Sequence, residues 1–196
     1  MRSNPSRAIV FLFAFTVILL CAPACSDRKS DDLAKLDFKA VSVGNFSMDI
    51  PSIMKEAKSL NDEAALQYSN VFKEIYVVVI KEDKQNFIDE FMDVNEYDST
   101  LSPVENYRAA QLKLLSEKMT IQKQGETKPL KINKLPAQQL QIDGAVEGVK
   151  FDIAYLFTFV EGKTDLYMVM GWTLKDRKEK YLPMFDKIAR SFKETK

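Results

Sequence analysis

The chain has 196 residues, 46% of them hydrophobic, with 28 basic and 28 acidic side chains and no histidine. This is the composition of one globular domain plus a short extension, without the basic excess that binding nucleic acid requires. Without histidine, Ser-His-Asp and Cys-His catalysis are excluded within this chain, as is histidine-ligated zinc or haem.

The first element has three zones. Arg2 and Arg7 give a positive start, Ala8 to Leu20 is an unbroken apolar run of 13 residues, and Cys21-Ala22-Pro23-Ala24-Cys25 is rich in small residues. These are the zones of a secretory signal. A membrane-crossing helix needs about 20 apolar residues, and this run extends to Ala24 only across Pro23. An uncleaved anchor is therefore the alternative to a signal. The last zone resembles a bacterial lipoprotein signal, in which a cysteine after small residues is acylated and becomes the mature N-terminus. Ala24 at −1 and Ala22 at −3 suit Cys25, whereas Cys21 follows the bulky Leu20. The family's usual leucine at −3 is displaced here to −5. The resemblance implies export, a diacylglycerol and palmitate anchor on Cys25, and an extracytoplasmic address on the periplasmic or surface side. Ala22-Pro23-Ala24 also reads as an ordinary A-x-A site, which a non-lipid signal peptidase would cut at the same bond. Cutting there leaves Cys25 as the one cysteine, with 26 basic and 28 acidic residues. A lone thiol in an oxidising compartment needs a role, and acylation supplies one.

Residues 25–39 carry the polar run SDRKSDDLAK, which buries too little apolar surface to order itself and reads as a flexible tether. A single domain over 40–196 follows. Gly44 to Pro51 alternates, with Phe46, Met48 and Ile50 on one face, and predicts a strand ended by Pro51. Ala64 to Tyr68 predicts a second. Glu74 to Lys81 (EIYVVVIK) is apolar on both faces and predicts a strand inside a sheet covered on both sides. Asn86 is the expected cap of a short helix carrying Phe87 and Phe91. Ser102-Pro103-Val104-Glu105 spells a capping box with proline at the first helical position. Val104, Tyr107, Leu114, Leu115 and Met119 extend that helix until Gly125.

Pro129 to Ile132 and Ala137 to Ile142 predict strands, with a turn at Asp143-Gly144. Lys150 to Val160 and Leu166 to Thr173 predict a long aromatic hairpin closed by residues 161–165. Phe151, Ile153, Tyr155, Phe157 and Phe159 share one face of the first strand. Leu166, Met168, Met170 and Trp172 share one face of the second. Tyr181, Phe185, Ile188 and Phe192 predict a closing helix, which Pro183 either opens or kinks. The expected class is α+β, an antiparallel sheet with helices on both faces.

Phe46-Ser47-Met48-Asp49-Ile50-Pro51, the aromatic hairpin and the closing Ile188-Ala189-Arg190-Ser191-Phe192 together resemble the PsbP-like fold. That fold is shared by photosystem accessory proteins, the Ran-release factor and the envelope protein DcrB. The resemblance spans residues 40–194. Many relatives place tryptophan shortly after the proline, where this chain has Met54. The resemblance implies a non-catalytic accessory or binding domain and no specific partner. Together with the lipoprotein signal and the charge balance, the expected partners are a membrane, through the N-terminal lipid, and a protein, with no cofactor and no nucleic acid. Cys25, the lipidation position, is the one site residue assigned, with no catalytic, cofactor or metal residue beside it.

Other chemistries have weaker support. Gly162-Lys163-Thr164 lacks the earlier glycine of a phosphate loop, and Phe157 stands there. The acids from Asp83 to Asp98 lack the glycine and terminal glutamate of an EF-hand. Asp152 and Asp165 would make a carboxylate hydrolase only if folding brought them together. The aromatic hairpin with Tyr155, Phe157, Phe159, Tyr167 and Trp172 is either core or the wall of a pocket. The pocket reading makes the chain a carrier or sensor of a small apolar ligand or lipid.

Overall fold

The runs that are apolar on both faces pair with one another at the centre of a sheet. In a computed structural model describing residues 35–195, Ile75–Asp83 (β5), Ile153–Glu161 (β9) and Asp165–Leu174 (β10) lie side by side, and β10 pairs with both of the others. Val77, Val78 and Val79 are fully buried, because packed layers cover both faces of β5. The sheet extends outward through Ala64–Asn70 (β4) and Lys55–Glu56 (β3) on one side. On the other side come Leu135–Val146 (β8) and Met119–Gln124 (β6), with Lys128–Ile132 (β7) also paired to β8. Every pairing is antiparallel.

One face of this sheet carries helix Lys178–Arg190 (α3) and a small second sheet. That sheet is a hairpin of Phe38–Val43 (β1) and Phe46–Pro51 (β2), joined on β2 by Lys193–Glu194 (β11). Phe46, Tyr167 and Phe192 pack ring to ring in this layer, with centroids 4.7–5.5 Å apart. The opposite face carries Lys84–Asp93 (α1) and Pro103–Lys118 (α2). Ile153, Tyr155, Phe157 and Phe159 of β9 point into it, as do Leu166 and Met168 of β10. The α+β antiparallel architecture with helices on both faces is thus present.

Local expectations needed revision at several places. Gly44 and Asn45 form a turn, so the expected strand starts at Phe46 and is preceded by β1. Residues 38 and 39, counted with the tether, pair with Pro51 and Ile50. Asp83, not Asn86, caps α1, because its carboxylate accepts the Asn86 amide at 2.8 Å. The Ser102 cap is present. The Glu105 carboxylate reaches back to accept the Ser102 amide at 2.9 Å and its hydroxyl at 2.7 Å. That helix stops at Lys118 rather than running to Gly125, and Met119 opens β6.

Asp143-Gly144 is not a turn. Both residues lie inside β8, opposite Ala154 and Ile153. A Cβ on Gly144 would sit 2.7 Å from the Thr120 carbonyl oxygen, so the glycine answers to the close approach of the paired β6 backbone beside a register shift. Phe151 is 56% exposed in the loop before β9 instead of on its core face. Pro183 sits inside α3 and does not open it, because a turn of 3₁₀ helix at Lys175–Arg177 leads into a start at Lys178. Phe192 lies beyond the end of α3, yet it is fully buried.

Candidate functional site

Short strand alternation places Ile80 and Glu82 on the α1/α2 face of β5, while Lys81 points the other way to pair with Asp165 at 3.2 Å. Tyr107 and Gln111 stand one helical turn apart on α2 and both reach Glu82. The Tyr107 hydroxyl donates to Glu82 Oε1 at 2.9 Å, and Gln111 Nε2 donates to the same oxygen at 2.8 Å. Burial raises the Glu82 pKa above the usual carboxylate value, and Glu63 and Glu90 add to the rise. The two hydrogen bonds oppose it without cancelling it. Burial and the neighbouring Glu82 charge push Tyr107 far above its ordinary value, so it stays a neutral donor.

Glu82 forms part of the wall of a cleft of about 390 Å³ between the sheet and the two helices. The floor is Phe157 and Phe159 from β9 with Met168 and Met170 from β10. Phe87 and Phe91 of α1 close one side, with centroids 4.4 Å apart, and Leu112 and Leu115 of α2 close the other. Phe157 and Phe159 are almost completely buried, whereas Leu112, Leu115 and Met170 are half-buried, so the cleft opens over the edge of α2. The aromatic rings continue past it. Tyr107 meets Phe159 edge-on at 6.0 Å, and Phe157 stacks on Tyr155 at 5.5 Å. Trp172 then stacks on Tyr76 at 5.1 Å at the end of this row. Burial and the hydrogen bond to Glu74 push Tyr76 up to about 12.

A second groove, of about 440 Å³, runs beside α3. Its two glutamines and Asp186 already have protein partners. Gln139 Nε2 donates to Thr158 Oγ1 and Asp186 Oδ1, both at 3.0 Å, and Gln141 Nε2 donates to Asp143 at 2.8 Å. Asp143 is 2% exposed at its side chain and pairs with Lys178 at 2.6 Å. Burial raises its pKa, but the Lys178 and Gln141 contacts outweigh burial and hold it below the usual aspartate value.

Cys25, the expected lipid attachment point, lies outside the described residues, as does the signal segment at 1–24. Asp152 and Asp165 are not brought together. They stand at opposite ends of the β9–β10 hairpin, about 30 Å apart along nine strand residues. Asp152 pairs with Lys175 at 3.1 Å, and Asp165 accepts from Asn45 and Thr164, each at 2.8 Å. Gly162 and Lys163 make a structural turn, tied by Lys84 to the Gly162 carbonyl and by Glu194 to the Lys163 amide. The acids after Asp83 scatter. Asp89 accepts from Gln85, Glu96 pairs with Lys113, and Asp98 accepts from Thr100. Among the described residues no three potential metal ligands cluster, and no helix is long and apolar enough to cross a membrane.

Sequence reasoning placed Phe87, Phe91 and Tyr107 on helices and left the hairpin aromatics as core or pocket wall, and it missed Glu82 and Gln111. Glu82 lies one residue past the predicted strand end at Lys81, so the only available signal was its position two residues beyond the apolar Ile80, on the same face if the strand continued.

No family model matches the sequence, and no curated protein matches it. Solved structures do match the fold. Cyanobacterial PsbP from Synechocystis sp. PCC 6803 is 10% identical, with a TM-score of 0.52 over 81% of this chain and 93% of that one. The Ran-binding protein Mog1p of Saccharomyces cerevisiae is 10% identical, with a TM-score of 0.50 over 81% and 96%. LpqN, involved in cell envelope biogenesis of Mycobacterium tuberculosis, is 10% identical, with a TM-score of 0.50 over 83% and 92%. The chain therefore has the PsbP-like fold that the sequence resemblance implied.

Proposed function

We propose that this chain is a non-catalytic accessory module of a bacterial cell envelope, exported and held at a membrane by a lipid on Cys25, acting by binding a protein partner. The carrying observation is the N-terminal segment, with two arginines, 13 apolar residues and then Ala22-Pro23-Ala24-Cys25. The absence of histidine supports binding over turnover. The fold is compatible with such a role, since Mog1p, which shares it, is Ran-binding and LpqN is involved in cell envelope biogenesis. One fold hosts many roles, so the partner does not carry over. Fatty-acid labelling of the chain beside its Cys25→Ala variant tests the anchor. The expected result is label and membrane association in the parent and neither in the variant. Equal labelling rejects the anchor.

A second reading has an observation of its own. The cleft against Phe157, Phe159, Met168 and Met170 has the size and lining of a small-molecule site, which favours a carrier or sensor of an apolar ligand.

A further inference from the structure

We propose that the α1/α2 cleft is a binding site for an apolar cation, a molecule with an aliphatic body and an ammonium head that pairs with Glu82. This rests on the apolar-ligand reading and adds the chemistry of the head. The cleft is a roughly 390 Å³ space floored by two phenylalanines and two methionines, which suits an aliphatic body and a molecule of small-ligand size. A protein helix would need a longer trough.

The head is specified by charge. Glu82 is the acid set deepest in the lining, and both of its protein donors use Oε1. Among the described residues no ammonium or guanidinium is placed against it, and its charged neighbours Glu63 and Glu90 are themselves acids. Lys118 is the one cation among the lining residues. A carboxylate ligand would meet repulsion from this set. A hydroxyl would gain one hydrogen bond to the carboxylate but bring no charge to pair with it. An ammonium would gain a hydrogen bond to the free Glu82 oxygen and, with it, the attraction of opposite charges in a half-buried site. Phe87 and Phe91 line the same space, and aromatic faces attract cations. Tyr107 and Gln111 then act as positioning residues that fix the carboxylate before the ligand arrives.

The test is calorimetric titration of the full chain with dodecylamine, dodecanol and dodecanoate at neutral pH, below their aggregation limits. Dodecylamine is expected to bind about tenfold more tightly than dodecanol. Dodecanoate is expected to bind most weakly. Glu82→Gln should abolish the preference for the amine, bringing its affinity down to that of dodecanol in the same variant. Glu63→Gln, at the rim, should shrink the preference without abolishing it, which keeps the test usable if Glu82→Gln folds poorly. Leu115→Trp, which fills the cleft, should remove binding of all three and so separates cleft binding from adsorption elsewhere on the chain. Equal binding of amine and alcohol, or a preference that survives Glu82→Gln, overturns the cation assignment but leaves the apolar-ligand reading standing. Binding that persists in Leu115→Trp, or no binding by any probe, overturns both.

Discussion

The two faces of the central sheet are built from the same strands, yet they are finished differently. On the α3 face, Phe185 lies against Gly171 so closely that a Cβ there would stand 2.6 Å from the ring. Phe46, Ile188 and Phe192 are completely buried beside it. On the α1/α2 face, Phe157 and Phe159 are as deeply placed, but Met170 beside them and Leu112 and Leu115 above them remain half-buried around a cleft. The polar groups differ in the same sense. Asp143, beneath the start of α3, has a lysine in contact, whereas Glu82 has two neutral donors and acidic neighbours. The space on the α3 face is a groove beside the helix, away from its buried rings, whereas the space on the other face lies directly over Phe157 and Phe159 and beside a carboxylate with no cation among the described residues against it.

Cutting side chains on each face sharpens this contrast most. Phe185→Ala opens an enclosed cavity and should lower stability by about 3–5 kcal/mol. Met170→Ala widens a space already open to solvent and should cost about 1 kcal/mol, since no new enclosed void forms. Urea denaturation of both variants reads the difference directly, and equal losses would mean the cleft face is as tightly packed as the other.

The two carboxylates should give pH dependences of opposite sign. Asp143 is held below its ordinary value, so its contribution is present above that value and is lost as pH falls through the lowered folded pKa. Asp143→Asn should cost about 1–3 kcal/mol near neutrality and flatten the loss in acid. Glu82 is held above its ordinary value, so its protonated form favours the folded state, and that advantage is lost as pH rises through the raised pKa. Glu82→Gln should therefore match or exceed the parent in stability at neutral pH and converge with it in acid. A parent that outperforms the variant more as pH rises would mean Glu82 has a cationic partner and would erase the distinction between the faces.

The smallest effect is expected at the solvent edge of α3. Arg190 is 54% exposed at its side chain and pairs with Asp186 one turn away. Arg190→Ala should change stability by no more than about 0.5 kcal/mol, measured in the same denaturation series.

How much of this was legible depends on the range of the interactions involved. Local patterns gave β5, the β9–β10 hairpin, the Ser102 helix start and the apolar stripe of α3, because alternation, capping and helical period are properties of neighbouring residues. They failed where distant chain decides. Asp143-Gly144 has turn chemistry, yet it is strand because β6 and β9 pair on either side of it. Phe151 has strand chemistry, yet it is exposed because β9 begins two residues later. The short strands β3 and β11 are two residues each and exist only through their pairing with β4 and β2. Gln111 could be placed on a helix from sequence, but not over Glu82, 29 positions away.

The sequence by itself therefore determined the α+β class, the aromatic centre of the sheet and the exclusion of histidine chemistry, since these follow from composition and short-range periodicity. Tertiary structure alone decided which face was left with a cleft and where Glu82 points. Both depend on how closely α1 and α2 settle on the sheet, a balance of side-chain volumes contributed by segments far apart in the chain.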